Sequence, residues 1–145
     1  DLQLVIAGTI DPRFPEVKET IESSAYKEDI IVTNFVSEED LPYLYNAAKL
    51  FVLPSFIEGF GLVAIESLAC GTPVIGSNTT SLPEVLEDAA VYFDPKNISE
   101  ISQAITKVLN DQELYNNLRA RGLEQVKKYS WRICAIETLK IYETS

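Results

Sequence analysis

Glu58 and Glu66 stand eight residues apart in the run SFIEGFGLVAIESLACGTPVI, from Ser55 to Ile75, and Glu66 is the only charged residue between Gly59 and Thr79. Two carboxylates so placed, one on a loop and one two turns along a helix, can face one cleft from different heights and accept hydrogen bonds from ligand hydroxyls. Gly59 and Gly61 lie between them. Glycine lets a ligand come close to the main chain, and a helix starting just behind it aims unpaired amides at the loop, which favours an anion. A glycine pair alone is weak grounds for phosphate, because strand-to-helix turns use glycine for their own geometry. Glu66 is the sharper feature. Its neighbours Leu62, Val63, Ile65, Leu68 and Ala69 are apolar, and a half-buried carboxylate there needs donors, from a ligand diol or from a structural Ser, Thr or backbone amide.

The elements that must place these residues follow from pattern. LFVL (50–53) is a strand ending at Pro54, and the helix-like run from Leu62 to Cys70 stops at Gly71. Upstream, QLVIA (3–7) reads as a buried parallel strand, Glu16 to Ser23 as a helix begun after Pro15, and the run from Ile30 as a β-branched strand. Ser37 with Asp40 three residues on signals a helix N-terminus; that helix runs to about Ala48 with Leu41, Leu44, Tyr45 and Ala48 inward. Downstream come a short strand PVIG, the polar turn SNTTS, a short helix at Pro83-Glu84 and the strand AVYF from Ala90. Asn97 with Glu100 caps a helix striped by Ile98, Ile101, Ile105, Val108 and Leu109, and Asp111 caps the next segment. Gly122 and Ser130 punctuate the helical remainder of the chain; Trp131, Ala135, Leu139 and Tyr142 sit at helical spacing in the last segment, with Trp131 and Tyr142 as packing anchors. Strands alternating with helices imply an α/β fold, a parallel sheet with helices on both faces and ligands bound beyond the carboxyl ends of the strands. The loops Asn34 to Val36, Ser55 to Gly61 and Ser77 to Ser81 are expected at that edge.

Composition narrows the classes. A chain of 145 residues, 46% hydrophobic and 23% charged, is read as one globular domain over 1–145. A net charge of −10 argues against a nucleic-acid groove or a polybasic membrane face. There is no histidine, and Cys70 and Cys134 are the only cysteines, so neither a zinc site nor a Ser-His-Asp triad can be built. Both cysteines are read as free thiols filling apolar space, which fits a reducing, cytoplasmic setting. The chain has no methionine and opens inside a strand, so it is read as a fragment or trimmed domain.

EGFGLVAIE followed by SLACGTPVI resembles the Glu-x7-Glu segment of the retaining glycosyltransferases of family 4, which have the two-domain GT-B architecture. FVSEEDLPYLYNAAKLFVLPSFIEGFG, SNTTSLPEVLEDAAVYFDP and YSW stand in the same order and spacing. The resemblance covers nearly the whole chain and implies the Rossmann-like, donor-binding C-terminal half of such an enzyme. By it, Glu58 is the catalytic carboxylate that meets the donor sugar's hydroxyls. Gly59, Phe60 and Gly61 lend amides to the sugar, the amides of Leu62 and Val63 reach the diphosphate, and Glu66 accepts from the ribose. Asn34, Phe35 and Val36 hold the base, although Phe35 could equally be a core residue. The implied reaction is metal-free transfer from a nucleotide-diphosphate sugar with retention, in polysaccharide biosynthesis, needing no cofactor.

The resemblance also implies what lies elsewhere. The family's basic loop, with an Arg and a Lys for the diphosphate, is expected before residue 1, and no Lys or Arg stands between Lys49 and Lys96 to replace it. The acceptor, a sugar or a lipid-linked sugar, is expected on a separate N-terminal domain. The 145 residues alone are expected to be inactive and open to self-association, and the full-length protein to be cytoplasmic or peripheral to the membrane. Against the usual pattern, Asn34 and Glu87 stand where Gly is frequent and Val63 where Pro is frequent. Two other readings share the donor fold: a nucleotide-sugar epimerase of GT-B-like fold, and a non-catalytic nucleotide-sugar binding or interaction module.

Overall fold

The computed structural model describes residues 2 to 144, as two compact units that meet in sequence between Leu41 and Pro42. In the first unit, β1 (Leu4–Ile6) and β2 (Ile30–Val32) pair in parallel, Leu4 opposite Ile30. The crossover carries α1 (Pro15–Ser23), whose proline occupies the first turn, where its missing N–H costs nothing. QLVIA was expected to be buried, yet Leu4 and Val5 are exposed and no described residue up to Leu41 is fully buried. Two strands and one helix have too little apolar area to close over a sheet.

The second unit holds the core. β3 (Phe51–Leu53), β4 (Val74–Ser77) and β5 (Ala90–Phe93) form a parallel sheet in that order, with Phe51 opposite Val74 and Val74 opposite Ala90. The single expected sheet is thus hydrogen-bonded as two. Every residue of β4 is buried, because side chains alternate between two covered faces. Val74 joins Leu53, Ala64, Leu68, Leu82 and Leu86 on one side, and Ile75 joins Phe93, Ala104, Val108 and Leu118 on the other. The helices that supply these residues are α3 (Leu62–Ala69) and α4 (Leu82–Leu86) for the first cluster, α5 (Ile98–Asn110) and α6 (Gln112–Gln125) for the second.

Local signals set most helix ends. The Asn97 side chain accepts from the amides of Ser99 and Glu100, and Asp111 accepts from Leu114 N–H. After α3, Gly71 adopts φ 76°, its N–H bonds Leu68 O at 2.9 Å and Thr72 N–H bonds Ser67 O at 3.0 Å. These two bonds are a Schellman closure. Three expectations within α2 (Leu41–Ala47), α5 and α6 differ from the structure. The helix α2 starts later than Ser37, whose hydroxyl accepts the Asp40 N–H in a preceding turn; its inward residues are as expected, with Tyr45 buried. Gly122 does not break α6 but lies inside it, where a Cβ would stand 2.6 Å from Leu68 Cδ2. Ile98 is exposed, whereas Ala104 and Val108 of the same helix are buried.

The final helix α7 (Trp131–Thr144) buries no residue, Ala135 and Leu139 included, so Trp131 and Tyr142 are not packing anchors among the described residues. Cys134, on the same helix, is exposed rather than filling apolar space, and both cysteines are free.

Candidate functional site

The loop after β3 is held by hydroxyls from the loop after β4. Ser77 Oγ donates to Ser55 O at 2.5 Å, Thr79 Oγ1 to Phe56 O at 3.2 Å and Ser81 Oγ to Glu58 O at 3.0 Å. In the opposite direction Glu58 N–H donates to Thr80 Oγ1 at 3.0 Å. SNTTS, read from sequence as a polar turn, is therefore the clamp of the Glu58 loop. Its serine and threonine spacing was visible, but no one-dimensional pattern says which backbone groups such hydroxyls meet. Of the three loops expected at the sheet's edge, Ser55 to Gly61 and Ser77 to Ser81 are brought together; Asn34 to Val36 belongs to the first unit.

Glu58 is half-buried, and Ser55 Oγ donates to its Oε1 at 2.7 Å. Gly61 is the N-cap of α3 at φ 89° and ψ 43°, a left-handed conformation that a side chain would strain. The amides that follow the capped turn find acceptors, with Ala64 N–H bonding Gly61 O at 2.9 Å. Among the described residues, the backbone N–H groups of Gly59, Phe60, Gly61, Leu62 and Val63 donate to no protein acceptor. Five successive free donors at a helix start form an electropositive cradle. Phe60 anchors the loop sideways, its ring edge-on to Tyr129 with centroids 5.2 Å apart, while Tyr129 OH donates to Val85 O at 2.8 Å. In sequence Tyr129 is only the first residue of YSW, 69 positions from Phe60, and no local pattern links the two.

Glu66 is exposed rather than half-buried. The helical turn explains this: α3 sends Ala64, Ser67 and Leu68 into the core, so Leu62, Val63, Glu66 and Ala69 share the outward face. Its protein donor is the Tyr45 hydroxyl, 3.1 Å from Oε2. Tyr45 is itself fixed by Thr72 Oγ1, which donates to its carbonyl at 2.7 Å, and by an edge contact with Phe51. Burial first, then the hydrogen bond and charge of Glu66, push the Tyr45 phenol well above its ordinary range, so it stays a donor. Burial and the Glu66 charge raise the Cys70 thiol as well, which leaves it poorly nucleophilic.

In the first unit, Asn34 takes the left-handed φ of 57° that its glycine-like place requires, and its carbonyl accepts Gly8 N–H at 3.1 Å. Phe35 is 83% exposed and so is not a core residue. With Val36, Ala7, Gly8, Thr9 and Leu41 it lines a cavity of about 230 Å³ at the carboxyl ends of β1 and β2. Gly8 and Thr9 were not singled out from sequence.

Comparison with known proteins decides the family. The family model for glycosyl transferases group 1 matches residues 1–125. The chain belongs to the group 1 glycosyl transferases. It is 49% identical over 109 residues to O-antigen chain mannosyltransferase B of Escherichia coli, covering 75% of this chain and 29% of that enzyme. It is 43% identical over 105 residues to the serotype-specific mannosyltransferase WbdA of Escherichia coli, covering 72% of this chain and 13% of that protein. Among solved structures, sucrose-phosphate synthase of Thermosynechococcus elongatus superposes with a TM-score of 0.88 at 28% identity, over 98% of this chain and 38% of that one. The chain thus spans well under half the length of each of these three proteins, and its α/β fold is that of the GT-B glycosyltransferases.

A larger concavity of this glycosyl transferase chain, about 480 Å³ and lined by Asp88, Arg121, Glu124 and Lys128, does not include the motif residues. Its cations are already paired, Arg121 with Asp88 and Lys128 with Glu87. Among the described residues no helix is long and apolar enough to cross a membrane.

Proposed function

We propose that this chain is the donor-binding part of a retaining family 4 hexosyltransferase that takes mannose from a nucleotide-diphosphate sugar. The observation that carries the reading is the run of free amides from Gly59 to Val63, flanked by two carboxylates that each have one oxygen engaged by a protein hydroxyl. A diphosphate would take the amides of Leu62 and Val63 with the dipole of α3, and the sugar those of Gly59, Phe60 and Gly61. Glu58, with Oε1 fixed by Ser55, has Oε2 to accept from sugar hydroxyls; Glu66, with Oε2 fixed by Tyr45, has Oε1 for the ribose. Asn34, Phe35 and Val36 would hold the base, Phe35 by its exposed ring. Mannose is proposed because the two relatives above are named mannosyltransferases.

Chemically, the barrier to transfer falls when negative charge on the leaving diphosphate is stabilised, and prepositioned amides do so without reorganising. The reading needs no metal ion, so transfer by the full-length protein should survive a chelator. It places the acceptor and the cationic partners of the diphosphate on the rest of the protein, so the 145 residues alone bind donor without turnover. Calorimetric titration with UDP, GDP and ADP, free and as sugar conjugates, tests it. One nucleotide should bind saturably, and Glu66→Ala should weaken it about tenfold or more, the size of one lost hydrogen bond to a charged group. Affinity unchanged in Glu66→Ala, or no binding at millimolar ligand, would overturn the assignment.

A further inference from the structure

We infer that Thr80 is a positioning residue for the Glu58 carboxylate, an inference that rests on the sugar-binding role proposed for Glu58. Thr80 is a β-branched residue at φ 53°, a conformation that such side chains avoid. Strain of this kind persists only where the surroundings impose it, and it gathers at sites that need a fixed geometry. What the strained turn delivers is specific. Thr80 Oγ1 receives the N–H of Glu58, and the hydroxyl of the next residue, Ser81, grips the carbonyl of the same Glu58 at 3.0 Å. Both polar groups of one residue's backbone are therefore held by adjacent hydroxyls. Glu58 N–H is thereby withdrawn from the free amides that begin at Gly59, so the ligand-facing donors start one residue later.

The carboxylate is fixed from the other side by Ser55, whose carbonyl in turn accepts the Ser77 hydroxyl. Ser77 ends β4, and the next residue, Asn78, bonds Phe93 O at 2.9 Å, so the loop after β4 starts from the rigid sheet. Thr80 passes that rigidity to a loop whose own residues Phe56, Ile57, Gly59 and Phe60 are exposed. Glycine would fit the φ of this position without strain but has no hydroxyl. The energetically easy residue could not hold Glu58.

That contrast is the test. In the 145-residue chain labelled with 15N, amide exchange at Glu58 is read by NMR, together with the affinity of the nucleotide sugar relative to the bare nucleoside diphosphate, for UDP, GDP and ADP in turn. Thr80→Gly relieves the strain and should melt within a few degrees of the parent. Its Glu58 amide should nonetheless exchange about fivefold faster, and the extra affinity conferred by the sugar should fall by about the same factor, as one lost hydrogen bond predicts, while diphosphate affinity holds. Thr80→Ser keeps the hydroxyl and should restore both. Unchanged exchange in Thr80→Gly, or equal weakening of sugar and diphosphate, would overturn the assignment. If the parent chain binds no nucleotide, the proposed function fails, while exchange at Glu58 alone still supports or overturns the hold of Thr80 on the Glu58 backbone.

Discussion

Gly59 and Gly61 look alike in sequence but should respond oppositely to one added methyl group. At Gly61 the φ of 89° costs an alanine about 1–2 kcal/mol by steric conflict with its own carbonyl. The same methyl would stand 2.5 Å from Leu82 Cδ2. Leu82 is fully buried in the core cluster with Leu53, Leu68 and Leu86, so its side chain moves only by displacing packed neighbours. Overpacking of this kind costs about 1–3 kcal/mol. Together Gly61→Ala should lose about 2–5 kcal/mol, a fall in Tm of roughly 5–15 °C for a domain of this size. At Gly59 no protein atom lies within 4 Å of a Cβ and the φ is not left-handed, so Gly59→Ala should leave stability within about 0.5 kcal/mol. Only a ligand would meet that methyl. Thermal melts of both variants, followed by nucleotide-sugar titration of Gly59→Ala, check the pair; the titration should show about tenfold weaker binding, as for a methyl inserted into a packed contact. A Gly59→Ala chain that binds as the parent does would refute close ligand approach at this loop, and a Gly61→Ala chain of parental Tm would refute the steric argument.

Two further outcomes concern stability. Glu87, at φ 48° and ψ −123°, is another strained non-glycine residue, and its Lys128 ion pair is solvent-exposed on both sides. The pair depresses the Glu87 carboxyl but screening leaves it little weight, so Glu87→Gly should raise Tm by a few degrees in a thermal melt; a lower Tm would show that the ion pair outweighs the backbone. The phenols of Tyr45 and Tyr92 are both raised above the ordinary value of 10, Tyr92 to about 12 through burial and the nearby Asp88 and Glu87. Above pH 10 the unfolded chain therefore releases protons that the folded chain retains. This contribution to stability is complete below pH 10 and is lost as pH rises toward 12. Denaturant midpoints across that range should fall, and less steeply in Tyr92→Phe; an equal slope in the variant would refute the assignment.

What could be read in the sequence and what could not divide along physical lines. Helix ends governed by nearest neighbours were legible: Asn97 and Asp111 cap where their side-chain chemistry says they should, and Gly71 closes α3. Asn34, standing where the resembled pattern has Gly, takes the left-handed φ that glycine would. Burial was harder, because periodicity says which residues share a face but not what covers it. The apolar stripe of α7 and the apolar run of β1 are both present, yet α7 buries no residue and Leu4 and Val5 of β1 are exposed. Gly122 shows the converse error, a helix breaker by propensity that is retained because Leu68 fills its place.

The site was legible in its carboxylates and glycines, whose order along the chain is itself the signal, and illegible in what holds them. Ser55 reaches Glu58 across three residues, but Tyr45 reaches Glu66 across 21 and Thr80 reaches Glu58 across 22. Bonds of that separation depend on the register of β3 against β4, where Leu53 faces Gly76, and no local pattern encodes it. One register step would reverse the faces of β4 and carry Ser77 away from Ser55. The hydroxyls of SNTTS therefore acquire their meaning only after the sheet is paired: the chemistry of Glu58 is written in its own loop, and its position in the neighbouring one.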